Sequence, residues 1–237
     1  MQTKLWNEYV WKRQTVSDLA EKHKKSKSWI GRQLDQVQIK TSNNSIKPQP
    51  IIIVADTTFF GRTYGVAVLR EPNLKKNLHW QEIVYENADV YWKGRTELEK
   101  QGFVIQAVVV DGKKCLKSVF SDLPIQMCHF HQIAIIARYL TRRPKLEAGK
   151  ELRSIALLLT KYNEKEFTIL LNSWFEKWKE FLKERTVNHE TGKWFYTHKR
   201  LRSAYRSSKT NLPHLFTYQK YPKLNIPNTT NSLDGSL

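Results

Sequence analysis

Ile51-Ile52-Ile53-Val54-Ala55-Asp56 and Phe103-Val104-Ile105-Gln106-Ala107-Val108-Val109-Val110-Asp111 decide the fold. Each is a short, almost unbroken apolar run rich in β-branched residues, and each ends in an aspartate. Runs of this length without alternation read as strands buried on both faces, which occur in sheets covered by helices. The class that follows is α/β. Around these two strands, residues 62–70 and 78–85 read as further strands, and 124–128 as a last short one. Residues 88–101, 113–121 and 130–140 read as helices. Beyond Pro144 the chain reads as helical and tryptophan-rich through about Ser207. Leu152, Ile155, Ala156 and Leu159 form one apolar stripe there. Phe167, Leu170, Leu171, Trp174, Phe175, Trp178, Phe181 and Leu182 form another.

Upstream of the first strand, residues 1–40 read as a small all-α module. Leu5, Tyr9 and Val10 fall at helical spacing, and Thr15 is an N-cap for a second helix with Val16, Leu19 and Ala20 inward. A polar break, His23-Lys24-Lys25-Ser26, precedes a third helix with Trp29, Ile30 and Leu34 inward. This is the layout of a helix-turn-helix, and Ser26, Lys27, Ser28 and Arg32 at its last helix offer the groups that DNA contacts use. A plain three-helix bundle with a solvated charged face gives the same local pattern. Residues 41–50, polar and carrying Pro48 and Pro50, read as a linker. The expected organisation is then a module over 1–40, a core over 51–143, a helical insertion over 144–222 and a C-terminal segment over 223–237.

Charge narrows the partner. The 237 residues carry 40 Lys and Arg against 22 Asp and Glu, a net charge of +18. Such a surface attracts polyanions, and nucleic acid is the expected one. No stretch approaches the roughly 20 apolar residues of a membrane span, and the first residues lack the apolar core of a secretion signal. Two cysteines, Cys115 and Cys128, cannot build a disulfide framework, so a reducing cytoplasmic compartment is expected.

Asp56 and Asp111 are the first chemical candidates. Carboxylates at adjacent strand ends can bridge hard cations, which prefer oxygen ligands. An aspartate after a strand also often does no more than cap a turn. Cys128-His129-Phe130-His131 is the second candidate. Cys-x2-His is half a zinc site, and no partner pair lies downstream. The plain alternative is a packed cysteine with hydrogen-bonded histidines.

In order, Val54-Ala55-Asp56-Thr57-Thr58, Val108-Val109-Val110-Asp111-Gly112, Met127-Cys128-His129-Phe130-His131-Gln132 and Asn228-Thr229-Thr230-Asn231-Ser232-Leu233-Asp234-Gly235 resemble the motifs of the Mutator-like transposases and their bacterial insertion-sequence relatives. The likeness covers about residues 50–237. It implies an RNase H-like mixed sheet with an all-helical insertion, preceded by the helix-turn-helix module. Asp56, Asp111 and Asp234 are then the catalytic and metal-binding triad, with Cys128 and His131 as the C(2)H motif in a supporting or DNA-contacting role. Two magnesium ions, with manganese as a substitute, are the implied cofactors. The implied activity is cleavage of transposon ends and 3′-OH strand transfer into target DNA. Double-stranded DNA is the implied partner, a homo-oligomer on paired ends the implied assembly, and the bacterial nucleoid the implied location. Lys199, Arg200, Arg202 and Arg206 of the insertion would follow the DNA backbone, and Trp194, Phe195 and Tyr196 could stack on unpaired bases. Two departures stand out. The third acid is Asp where the family has Glu, and the chain stops three residues after it, where the family has a helix. A remnant that only binds DNA is therefore the competing expectation. A nuclease on RNA–DNA hybrids and a structural zinc module are further ones.

Overall fold

The computed structural model describes residues 2–37 and 46–230, and these fall into two compact units, Met1–Lys47 and Pro48–Leu237. The first unit holds three helices, α1 (Gln2–Val10), α2 (Val16–His23) and α3 (Lys27–Asp35). Thr15 and Asp18 close a capping box on α2, each satisfying a backbone N–H of the other. Lys24 then turns in the left-handed region, and Ser26 caps α3 by accepting from the Trp29 N–H at 3.1 Å. Leu5, Leu19, Ala20, Ile30 and Leu34 form the core of this unit. Glu8 is buried at its edge and accepts from Lys22 and His23 at 2.9 and 2.8 Å.

The second unit is built on a five-stranded mixed sheet ordered β3-β2-β1-β4-β5. The strands are β1 (Pro50–Phe59), β2 (Gly65–Glu71), β3 (Lys76–Ile83), β4 (Val104–Val110) and β5 (Ile125–Met127). The first three are antiparallel neighbours, while β4 runs parallel to β1 and β5 parallel to β4. Two helices lie between strands in the chain, α4 (Ala88–Lys100) and α5 (Lys114–Val119). Gly94 lets α4 lie close to the sheet, since a Cβ there would sit 2.7 Å from Leu69 Cδ1. Arg95 ties α4 to the end of α5 by donating to the Val119 carbonyl at 2.7 Å, and it makes a two-pronged pair with Asp122 just beyond, both contacts at 2.6 Å.

The remaining helices are α6 (His129–Leu140), α7 (Glu147–Leu157), α8 (Glu164–Trp178), α9 (Lys199–Leu215) and α10 (Thr217–Lys220). Both apolar stripes of the sequence enter one aromatic-rich core, with Leu152, Phe167, Leu171 and Trp174 buried against Leu201, Leu215 and Phe216. Buried polar side chains fasten this bundle to the sheet. Gln126 donates to the Leu215 carbonyl at 2.9 Å and accepts from the Tyr218 N–H, and Thr217 donates to the Ile125 carbonyl at 2.6 Å. His129 Nε2 lies 2.6 Å from the Leu215 carbonyl. A carbonyl only accepts, so that nitrogen carries the proton.

Two expectations need correction. The insertion is not all-helical, because β6 (Arg185–Val187) and β7 (Trp194–Tyr196) pair as an antiparallel hairpin inside it. Thr186 and Val187 are β-branched, Trp194, Phe195 and Tyr196 are aromatic, and Gly192 turns the chain at φ +66°, so the local preferences favour strands. Nor does β1 end at Asp56. It continues through Phe59, because Thr57, Thr58 and Phe59 still pair with β2 after pairing with β4 has stopped. Among the described residues no helix is long and apolar enough to cross a membrane.

Candidate functional site

The register of β1 and β4 decides where the two aspartates stand. Ile51 pairs with Ile105, but Ile52 pairs with Ala107, so Gln106 is an extra residue in β4. From there Val54 pairs with Val109, and two residues further along each chain come Asp56 and Asp111. Side chains alternate along a strand, so each aspartate shares a face with the residue two before it. Val54 and Val109 lie in one apolar cluster with Ile52, Ala107 and Ile226. The two carboxylates therefore continue a buried stripe to the end of the β1–β4 pairing. Gly112 turns the chain immediately afterwards at φ +92°, with Met127 Cε only 2.5 Å from where a Cβ would be.

A hydrogen-bonded chain links the two acids. Asp56 Oδ1 accepts from the Thr57 N–H at 2.8 Å. Thr57 Oγ1 meets the Tyr91 hydroxyl at 2.7 Å, and that hydroxyl donates to Glu86 Oε1 at 2.7 Å. Glu86, with a side chain only 7% exposed, pairs with the Lys113 ammonium, which also lies 3.3 Å from Asp111 Oδ2. Burial pushes the Asp56 carboxyl above the ordinary aspartate range; the Thr57 N–H and His131 oppose this, and the charges of Asp111 and Glu86 add to it. Burial alone would lower the Lys113 ammonium, yet its bonds to Glu86 and Asp111 hold it above its usual value.

Cys128 and His131 join the same cluster. Cys128 follows β5 and is the N-cap position of α6, whose first turn carries His131, a side chain that feels the charges of Asp56 and Asp111. A hydrogen bond to Cys128 raises the His131 imidazole; burial opposes it, and both aspartates add to the rise. Burial pushes the Cys128 thiol up, but hydrogen bonds with His131 and Thr230 outweigh it and leave the thiol below its ordinary value. The C-terminal segment is also fixed here. The His129 N–H donates to the Asn228 carbonyl at 2.9 Å, and the Thr230 N–H points at Cys128 Sγ at 3.3 Å.

Asp56, Asp111, Cys128 and His131 are thus brought together, and Asp234 lies outside the described residues. Among the described residues no group of three or more His, Cys, Asp or Glu side chains is gathered tightly enough to hold a metal ion. Sequence reasoning missed Glu86, Tyr91 and Lys113. Lys113, two residues past Asp111, was the one with a local signal; Glu86 and Tyr91 are joined to the site only by the fold. Of the other candidates, Ser26 spends its hydroxyl as the α3 cap, while Lys27, Ser28 and Arg32 are exposed on that helix. Lys199, Arg200 and Arg206 are exposed on α9. Arg202 donates to the Leu182 carbonyl at 2.7 Å and stacks on Tyr196, so it braces the hairpin. Trp194 and Phe195 are exposed there, with Arg185 lying 3.9 Å over the Trp194 ring.

No family model and no curated protein matches the chain. Among solved structures it is similar to a chain of the Drosophila P element transposase strand transfer complex, at 11% identity and a TM-score of 0.36, covering 99% of this chain and 63% of that one. It is also similar to a chain of the simian T-cell lymphotropic virus intasome in complex with PP2A regulatory subunit B56 gamma, at 10% identity and a TM-score of 0.27, covering 85% of this chain and 66% of that one. The chain spans less than two thirds of each. Both likenesses are slight, and the chemistry of the site rests on its own geometry.

Proposed function

We propose that the protein is a DNA transposase that cleaves the ends of its element and joins the freed 3′-hydroxyl to target DNA. The observation that carries this reading is the β1–β4 register, which pairs Val54 with Val109 two residues before Asp56 and Asp111, together with the influence of both aspartate charges on His131. Two carboxylates that share one face, with Asp56 short of countercharge, suit a hard divalent cation with oxygen ligands. Asp56, Asp111 and Asp234 would hold two magnesium ions, or manganese in their place, which supply an activated oxygen nucleophile and offset charge on the phosphate. Thr230, four positions before Asp234 in the sequence, is anchored on Cys128.

The chain's own groups have definable work. The Thr57 N–H orients Asp56, and the Thr57–Tyr91–Glu86 links fix the position of Lys113. The Lys113 ammonium balances Asp111 and Glu86. Cys128 and His131 hold α6 and the C-terminal segment against the sheet end. The strand order, with three antiparallel and two parallel strands, supports an RNase H-like reading of the core. The α2–turn–α3 arrangement supports a helix-turn-helix in which Lys27, Ser28 and Arg32 face DNA. A homo-oligomer acting on paired ends at the bacterial nucleoid completes the proposal.

A second reading has one observation in its favour. Lys113 already bridges Asp111 and Glu86, so its ammonium supplies the positive charge that a bound cation would otherwise supply beside Asp111. Strand transfer with DNA from the boundaries of the encoding element separates the two. Joined products that need magnesium and vanish in Asp56→Ala and Asp111→Ala support the enzyme. Binding without joining under every metal condition supports the remnant.

A further inference from the structure

We propose that the cleft between α6 and α9 is a binding track for a phosphodiester backbone that leads to Asp111. This rests on the reading of nucleic acid as the substrate. The cleft has a volume of 840 Å³ and is lined by Lys114, Arg138, Arg200 and Arg206, with Gly112 also in its wall. Gly112 follows Asp111 directly, so the track opens at the candidate site. Hydroxyls of Ser203 and Thr210 lie among the cations, and no Asp or Glu lines the cleft.

The absence of acids is selective. None of the 12 residues of α6 or the 17 residues of α9 is acidic. On the neighbouring helices lysines are neutralised in place, as in Lys150–Glu147, Lys177–Glu151 and Lys179–Glu176. Among the described residues the side chains of Lys114, Arg138 and Arg206 take part in no ion pair. Arg200 is held in place by donating to the Arg138 carbonyl at 2.7 Å, which leaves further donors on its guanidinium. Gln132 fixes α6 against α9 by accepting from Asn211 at 2.8 Å in a buried bond and donating to Ser207. Unpaired cations and hydroxyls on two braced walls match the spaced anionic oxygens of a nucleic-acid strand. Lys114 and Arg138 thereby gain a role that their sequence context did not suggest.

The test is metal-free binding of the whole chain to a 30-nucleotide probe, single-stranded in one arm and duplex in the other, across a salt series (probe length of about three helical turns). Lys114→Gln combined with Arg138→Gln removes two contacts. The slope of log affinity against log salt is expected to fall by about 1.8 on duplex or about 1.4 on single strand. The arm that shows the fall identifies the form of DNA bound. Lys114→Arg with Arg138→Lys should keep the wild-type slope. Lys177→Gln with Lys179→Gln removes two paired lysines and should leave it unchanged. An unchanged slope in the first variant, or an equal fall in the Lys177/Lys179 pair, overturns the proposal. Because no metal is present, the outcome is independent of catalysis. Loss of strand transfer with cleft-dependent binding intact would sink only the enzymatic reading.

Discussion

Replacing Asp56 with Asn tests whether the site is a cation site or a hydrogen-bonded strand end. Asp56 stands on β1 and Asp111 directly follows its neighbour β4, and paired strand backbones lie about 4.8 Å apart. At a charge separation of about 5–6 Å and an effective dielectric near 20, two carboxylates repel by about 3 kcal/mol. The Thr57 N–H, His131 and Lys113 cancel most of this repulsion, and burial of the Asp56 charge is the largest cost that remains. Asn keeps an oxygen to accept the Thr57 N–H, so the geometry survives while the charge goes. The metal-free variant should therefore be more stable than wild type by about 1 kcal/mol, which for a unit of this size is a rise of roughly 2–4 °C in melting temperature. In magnesium at about ten times its Kd the wild type should gain about 1.4 kcal/mol, and the variant nearly none. Differential scanning fluorimetry in EDTA and across a magnesium series reads both effects. A variant that melts below wild type in EDTA, or keeps the magnesium shift, would refute the claim that Asp56 is a charge waiting for a cation.

Three further outcomes are open to direct measurement. Gly112→Ala puts a Cβ into Met127 at a backbone angle that L-residues rarely adopt. Chemical denaturation should show a loss of about 2 kcal/mol or more, and an unchanged midpoint would refute the tight turn after Asp111. In the first unit, Ser26→Ala should cost about 1 kcal/mol of module stability through loss of the α3 cap. Arg32→Gln should instead leave stability alone and reduce the salt slope of DNA binding by about 0.9; equal thermal effects would show that the assignment is misplaced. The hydrogen bonds from His23 and then Lys22 hold the Glu8 carboxyl at about 2, below its ordinary 4.5. A depressed carboxyl contributes stability that is complete above about pH 4.5 and is lost as the pH falls toward 2. Amide NMR signals of α1 to α3 should broaden or shift to unfolded positions across that window. Glu8→Gln should lose this pH dependence, and a steep acid transition that persists in the variant would point to another carboxylate.

The legible parts of the chain were those whose signal is local. An unbroken apolar run such as 51–55 has few alternatives to a buried strand, and the period-3.6 stripes at Leu152 and Phe167 have few alternatives to helices. Thr15 announces a helix start because its hydroxyl accepts from a backbone N–H, whereas the same role of Ser26, read from the sequence as a DNA contact, emerged only in the fold. The hairpin at Arg185–Val187 and Trp194–Tyr196 was lost because its aromatic residues sit between amphipathic helices. Trp194 and Phe195 look like a continuation of the stripe at Trp174 and Phe175, although they are exposed. Glu86 and Tyr91 were invisible for another reason. They reach the site through bonds to Lys113 and Thr57, and nothing at position 86 or 91 distinguishes them from the solvated charges and packed aromatics nearby.

The relation between Asp56 and Asp111 shows most plainly what only the fold supplies. Ile51 pairs with Ile105, an offset that would set Asp56 beside Val110 and send Asp111 to the opposite face. The bulge at Gln106 adds one residue to β4 and changes the offset, so Val54 meets Val109 and the aspartates fall level. A single unpaired polar residue thus converts two unrelated strand acids into a facing pair. A bulge of this kind disrupts a ladder that apolar packing alone would keep regular, and it lies five residues before Asp111, at the position that fixes the acid's phase. The proposed cation site depends on that placement. An aspartate that merely caps a turn has no need of it, since either face of the sheet offers a turn to cap.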